Sequence, residues 1–410
     1  MTDARAKAEE AARASYGRLL AWLSSRTHDV AAAEDALADA FKAALENWPK
    51  TGAPASPEAW LLTAARRKLI DAGRRRQTRE AGLPSLVLAA EEAEAAITTN
   101  TDFPDERLKL MFICAHPAID AAVRTPLMLQ TVLGLDAARI ASAFLVSPAG
   151  MGQRLVRAKK KIKAAGIPFE APDAANLEER FDAVLDAVYA AFTASWEGDH
   201  SQEGHPDDLV AEAMFLSRLL TQIAPRFGEA WGLLSLLCHV NARRSARFVE
   251  GVYIPLSEQN TSLWDRMLIA EAEAALAKAW RLGGQGRYSL EAAIQSAHAA
   301  AGMTGRDLRE DIVILYHRLC ETAPSVGAQA ARAAALAHAG RPREGLSILE
   351  AIETKRSKNY QTYWAVRAHL LSECGRFADA REAYDIAIGL TENSATRAFL
   401  MKRRAALATL

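Results

Sequence analysis

The chain has 410 residues, half of them hydrophobic, with 50 basic and 50 acidic side chains, so it can bury several cores and is neither a disordered nor a fibrous sequence. Abundant Ala, few aromatics and no runs of alternating β-branched residues predict an all-α protein. The charge is uneven along the chain: residues 1–169 carry 24 Lys and Arg against 19 Asp and Glu, the remainder 26 against 31, which directs the search for a nucleic-acid partner to the front.

Residues 8–80 read as a first helical domain, broken by the Pro-, Gly- and Ser-containing stretch Asn47 to Pro57. Before the break, Asp29 to Trp48 has an apolar stripe of Val30, Ala33, Leu37, Phe41, Leu45 and Trp48. That stripe leaves Asp35, Asp39, Lys42 and Glu46 on one exposed face; early acidic residues also complement a helix dipole. After the break, Pro57 to Arg79 carries seven basic residues, with Trp60 near its start and a stripe of Leu62, Ala65, Leu69 and Ala72. Cations neutralise phosphates and an aromatic stacks on an exposed base, so this helix suits a nucleic-acid strand, although Trp60 also fits a core position.

Residues 81–104 form a polar, acidic linker, and residues 105–166 a second helical domain ending at the break Gly166 to Asn176. Its strongest signal is a helix-turn-helix pattern from Leu133 to Gly166. Asp136 is placed to cap the first helix; Ser147 is placed to cap the second, which Pro148 opens. Met151, Leu155, Ala158 and Ile162 recur at helical spacing as the inward stripe, so Gln153, Arg154, Arg157, Lys160 and Lys161 point outward. From Ala137 to Phe169 there are seven basic residues and no acidic one. An anionic partner accounts for this, as would a basic helix end complementing its own dipole. In the first reading the cations hold phosphates and Gln153 reads a base edge.

Residues 177–325 read as a helical extension domain and 326–410 as helical repeats. His338 to Ile352 and Glu373 to Ile388 align with Gly340 opposite Gly375, and Gly375, Phe377, Ala380, Tyr384 and Ala387 resemble the tetratricopeptide signature. An ordinary helical hairpin is the alternative.

Cys114, Cys238, Cys320 and Cys374 form no CxxC pair and no Cys/His spacing suited to zinc, so no metal and no cofactor is expected. No P-loop, GxSxG or HExxH appears, so an enzyme is not expected. No apolar run has the length of a membrane span, which predicts no membrane partner and a cytoplasmic protein.

The order of acidic helix, loop, Trp-led basic helix, linker and helix-turn-helix resembles an extracytoplasmic-function (ECF) sigma factor of the sigma-70 family. Ala33 to Phe41 resembles region 2.2, Ala59 to Asp71 region 2.4, and Arg139 to Lys159 region 4. Ala38 stands where the family often has Gln, and Leu145 where it has Gly. From Arg180 onward the chain resembles the ECF subgroup with a long C-terminal helical extension, departing from it at Asn260 and Leu263. The resemblance implies a DNA-binding initiation subunit whose partners are core RNA polymerase, through its β′ and β subunits, and promoter DNA. It implies polymerase binding by Glu34, Asp35 and Asp39, and −10 contacts by Trp60, Arg66, Arg67, Arg74 and Arg75. It implies −35 contacts by Ser147, Gln153, Arg154, Arg157, Lys160 and Lys161. The extension is expected to regulate or scaffold, binding a protein partner or the chain itself. A helix-turn-helix regulator with a repeat domain for dimerisation or ligand sensing is the alternative.

Overall fold

The computed structural model describes residues 2–77, 106–144, 146–170, 174–197, 206–249, 252–352, 357–391 and 393–407. The expected linker 81–104 and Leu145 lie outside them. The fold is all-α; the described strands are one short antiparallel pair, Phe248–Val249 with Val252–Tyr253. The chain divides into two compact units, Met1–Ser195 with Asp207–Ala213, and Trp196–Pro206 with Met214–Leu410.

The first unit begins with α1 (Thr2–Thr27), α2 (Val30–Thr51) and α3 (Pro57–Gln77). The Asp29 carboxylate accepts from Ala32 N at 3.1 Å and satisfies one of the free amides that open α2. Leu19, Leu20 and Leu23 of α1 pack in a core with Val30, Ala33 and Leu37 of α2 and Leu61, Leu62 and Ala65 of α3. Ser15 and Arg18 of α1 both bond the Glu58 carboxylate of α3, tying the bundle across its open side. The expected break at Asn47 begins later: α2 runs through Pro49 to Thr51 and stops at Gly52, whose φ of +82° only glycine adopts cheaply. The stripe of α2 also differs from expectation, since Leu45 is 45% exposed while Ala36, Ala40 and Ala44 are buried. Small side chains let α2 approach its neighbours closely, and the large Leu45 is left on the outside.

Four helices follow in the same unit: α4 (Arg107–Cys114), α5 (Ala121–Thr131), α6 (Ala137–Ala143) and α7 (Pro148–Ala164). Helix α4 is buried at every residue but Lys109, and its Cys114 thiol, pushed up to about 12 by burial, lies 3.6 Å from the Thr131 hydroxyl. A Cβ on Gly17 of α1 would stand 1.7 Å from the Val132 carbonyl oxygen, so the first helix meets the end of α5 backbone to backbone. Helix α8 (Ala174–Glu197) adds Phe181, Val184, Leu185 and Phe192 to the core, with the Phe181 ring 5.9 Å from Phe112.

The second unit is organised around α10 (Gly228–Ala242), which follows α9 (Pro206–Ile223) and is buried on nearly every side. It packs on α11 (Arg266–Arg281) and α12 (Arg287–Thr304). The last approach is very close: a Cβ on Gly232 would meet Ser289 N at 2.6 Å. Glu229 reaches from the start of α10 to cap α12, accepting from Gly286 N at 3.0 Å and Tyr288 N at 2.8 Å. A carboxylate at a helix N-terminus satisfies free amides and complements the dipole.

Helix pairs complete the unit: α13 (Arg309–Thr322) after α12, then α14 (Val326–His338) with α15 (Pro342–Glu350), α16 (Gln361–Glu373) with α17 (Phe377–Leu390), and α18 (Ser394–Ala406). Gly340 and Gly375 turn the two later pairs at φ of +78° and +75°, and in each the following arginine N–H bonds a carbonyl five residues back. The same step occurs earlier at Gly305, φ +71°, also followed by an arginine. Ala380, Tyr384 and Ala387 are buried between helices.

Candidate functional site

Three surfaces of the first unit carry the residues singled out by the sequence. On α2, Asp35 and Asp39 are exposed with Lys42 and Glu46. Asp39 lies 3.4 Å from Lys68 of α3, both about half exposed, an ion pair that water screens strongly. Glu34, one position before Asp35, turns the other way.

On α3, Trp60 is half-buried and meets Trp48 edge to face at 5.4 Å, so its ring is tied to the end of α2 while one side stays accessible. Arg66 is half-buried; Arg67 and Lys68 are exposed. Arg74 and Arg75 fall where side chains lie outside the described residues.

The third surface is α6 and α7. Asp136 caps α6, its carboxylate accepting from Ala138 N at 2.9 Å and Arg139 N at 2.8 Å. Ser147 caps α7 by accepting from Gly150 N at 3.2 Å, with Pro148 at the first helical position. Met151, Leu155, Ala158 and Ile162 are buried, and Gln153, Arg154, Arg157, Lys160 and Lys161 are exposed. A one-sided amphipathic helix with no carboxylate therefore shows five cations, Lys163 among them, and one amide to solvent.

Sequence reasoning missed how α7 meets α2. Lys159 points inward, its side chain 7% exposed, and its ammonium pairs with Glu34 and donates to Gln130 Oε1 at 3.0 Å. Lys163 pairs with Asp29 at 2.6 Å. Tyr16 O–H donates to Glu34 at 3.2 Å; burial, and next the Glu34 charge, push the Tyr16 hydroxyl up, so it remains a donor. Glu34 and Asp29 thus face α7, while Asp35 and Asp39 face solvent. Among the described residues, no group of three or more His, Cys, Asp and Glu side chains is arranged to hold a metal. No described helix is long and apolar enough to cross a membrane.

Residues 12–79, the α1–α3 bundle, match the Sigma-70 region 2 family, and residues 180–280 match a family of unknown function, DUF6596. The chain thus carries a sigma-70 region 2 domain, and with it a sigma-factor-like role in transcription initiation. It is 38% identical over 374 residues to an uncharacterized protein of Rhizobium meliloti (strain 1021), spanning 90% of this chain and 88% of that one. The chain belongs to the family of that protein. No solved structure matches it.

Proposed function

We propose that the chain is a sigma factor of the extracytoplasmic-function type, which binds core RNA polymerase and directs promoter-specific initiation. The observation that carries the reading is the carboxylate-free basic face of α7 in a chain that also has a region 2 domain. In this reading α6 and α7 are a helix-turn-helix. Arg154, Arg157, Lys160 and Lys161 hold phosphates at the −35 element, and Gln153 reads a base edge in the major groove. The Ser147 hydroxyl, its oxygen engaged in the cap, keeps its proton for a phosphate. Trp60 and Arg67, together with Arg66, Arg74 and Arg75, take the extruded −10 strand. Binding that strand more tightly than the duplex is enough to shift the melting equilibrium.

Asp35 and Asp39 dock on the polymerase, β′ first and β beyond it. Glu34 faces Lys159 and Tyr16 rather than solvent, so it supports the docking face from behind. Asp35→Lys is expected to lower affinity for core polymerase at least tenfold in a pull-down or titration, with no loss of thermal stability. Unchanged binding would remove the docking assignment.

Replacing Arg157 with Ala removes one phosphate contact, so the slope of log affinity for promoter DNA against log salt falls by about 1. An identical slope would mean that Arg157 touches no phosphate.

The extension reads as a tetratricopeptide-like scaffold that regulates the front of the chain. Truncation after Ala213 keeps α8 and the Arg107 pair with Glu212, and run-off transcription with core polymerase compares it with the full chain. Equal transcription from the cognate promoter would exclude a regulatory role.

A further inference from the structure

The second unit has a half-open pocket of about 750 Å³ lined by α12, α13, α14, α16, α17, α18 and the segment 255–264. Sites for small ligands typically measure roughly 300–1,000 Å³, with mostly apolar walls and a few placed polar groups. Trp264, Ile312, Tyr384, Phe399 and Leu400 supply the apolar wall.

Its charge is one-sided. The lining holds the guanidinium groups of Arg306, Arg309 and Arg403 against the single carboxylate of Asp307. Arg309 is neutralised by Asp307 at 2.7 Å, and Arg403 shares Glu258 at 2.8 Å. Arg306 has no carboxylate partner among the described residues, and the repeat explains why. At the two later turns the arginine after the glycine pairs with an acid three residues on and with one of the preceding helix pair: Arg341 with Glu344 at 3.7 Å and Glu310 at 2.7 Å, Arg376 with Asp379 at 2.6 Å and Glu350 at 3.7 Å. Arg306 stands at the first such turn, where the residue three positions on is Arg309 in place of an acid.

Two further groups in the wall have no hydrogen-bond partner among the described residues. The Trp264 indole N–H is buried with its ring 3% exposed, and the Gln259 side-chain oxygen is buried while its amide nitrogen donates to Ile254 O at 3.2 Å. A buried donor and a buried acceptor without partners are costly unless something else meets them. Three imidazoles also line the space; His338 and His369 lie 6.3 Å apart, and burial holds His298 down to about 4, so His298 is neutral at pH 7.

We propose that this cavity binds a small amphipathic anion: an organic acid whose aliphatic or aromatic body lies against Trp264, Tyr384 and Phe399 and whose acid group meets Arg306 and Arg403. The assignment is independent of the proposal for the first unit. It gives the extension a chemical input.

The test uses the purified full chain and two fluorescent probes with the same apolar body, anilinonaphthalene sulfonate and its uncharged counterpart N-phenylnaphthylamine. The sulfonate is expected to bind at one site at least tenfold more tightly than the neutral probe. Decanoate displaces it and decylamine does not. Arg306 is exposed and unpaired, so Arg306→Gln folds normally. Combined with Arg403→Gln it weakens the sulfonate about tenfold, as loss of a charge-assisted contact does, while leaving the neutral probe unchanged. Ala365→Phe narrows the cavity and weakens both probes, with circular dichroism reporting the fold. Equal affinity for the two probes would overturn the proposal, as would a double variant within twofold of the parent. Displacement by an acidic heptapeptide but not by decanoate would also overturn it, making the site a peptide groove.

Discussion

The Lys159–Glu34 pair allows a quantitative prediction because both of its partners are largely buried, unlike the neighbouring pair on the same helix. The Lys159 side chain is 7% exposed and Glu34 21%, against 52% for Lys163 in the neighbouring pair. Glu34→Gln keeps the side-chain shape but leaves the Lys159 ammonium with only the neutral oxygens of Gln130 and the new amide. Breaking a fully buried pair costs roughly 3–5 kcal/mol. With water still reaching Glu34, about 2–3 kcal/mol is expected. For a unit of this size each kcal/mol lowers Tm by about 2–4 °C, so the first unit should melt about 4–12 °C lower. Lys163→Met, at a half-exposed site, should cost no more than about 1 kcal/mol. The decisive assay is a double-mutant cycle by urea unfolding, with Glu34→Gln, Lys159→Met and both together. The double variant should be less destabilised than the sum by about 1.5–3 kcal/mol. Additive losses would refute the claim that the pair holds α7 against α2.

Two other perturbations address the second unit. Gly232→Ala places a methyl group 2.5 Å from the Ser289 hydroxyl and 2.6 Å from its backbone nitrogen, so α10 and α12 must separate. The cost should be about 1–3 kcal/mol by chemical denaturation, and an unchanged midpoint would show that the helices yield freely. His239 is 1% exposed, and burial, with Arg243 nearby, lowers its pKa to about 4. The unfolded chain then binds the proton between about pH 6.5 and 4 while the folded chain does not, so stability falls as pH drops through this window. The full loss is about 3 kcal/mol at 1.4 kcal/mol per unit. His239→Leu should flatten stability against pH between 6.5 and 5; parallel curves for parent and variant would contradict this.

What could be read from the sequence was local. The inward stripe and outward face of α7 follow from periodicity within one helix, and the caps by Asp29, Asp136 and Ser147 lie within three residues of the amides they satisfy. The division of roles on α2 was not local. Lys159 flanks the apolar stripe of α7, but its partner Glu34 lies 125 positions away, and no periodicity couples such positions. Leu45 was assigned to the inward stripe by its spacing, whereas the core selected the alanines that permit a close approach. Glu229 reached α12 across an interval of 57 to 60 residues, again without a sequence signal. One feature was legible and overlooked: Gly-Arg recurs at 305, 340 and 375, so the 35-residue step extends one turn earlier than the aromatic signature alone indicates.

That step governs how the rear of the chain responds to damage. An array in which each unit rests on the next has stability set by neighbouring interfaces rather than by a single centre. Cuts made progressively inward from Leu407 would remove α18, then the α16–α17 pair, then the α14–α15 pair, each exposing the apolar side of its predecessor. The last helix is the exception, because α18 also returns to the segment before α11, Phe399 against Tyr253 at 5.5 Å and Arg403 with Glu258 at 2.8 Å, so the first cut would also open the wall of the cavity.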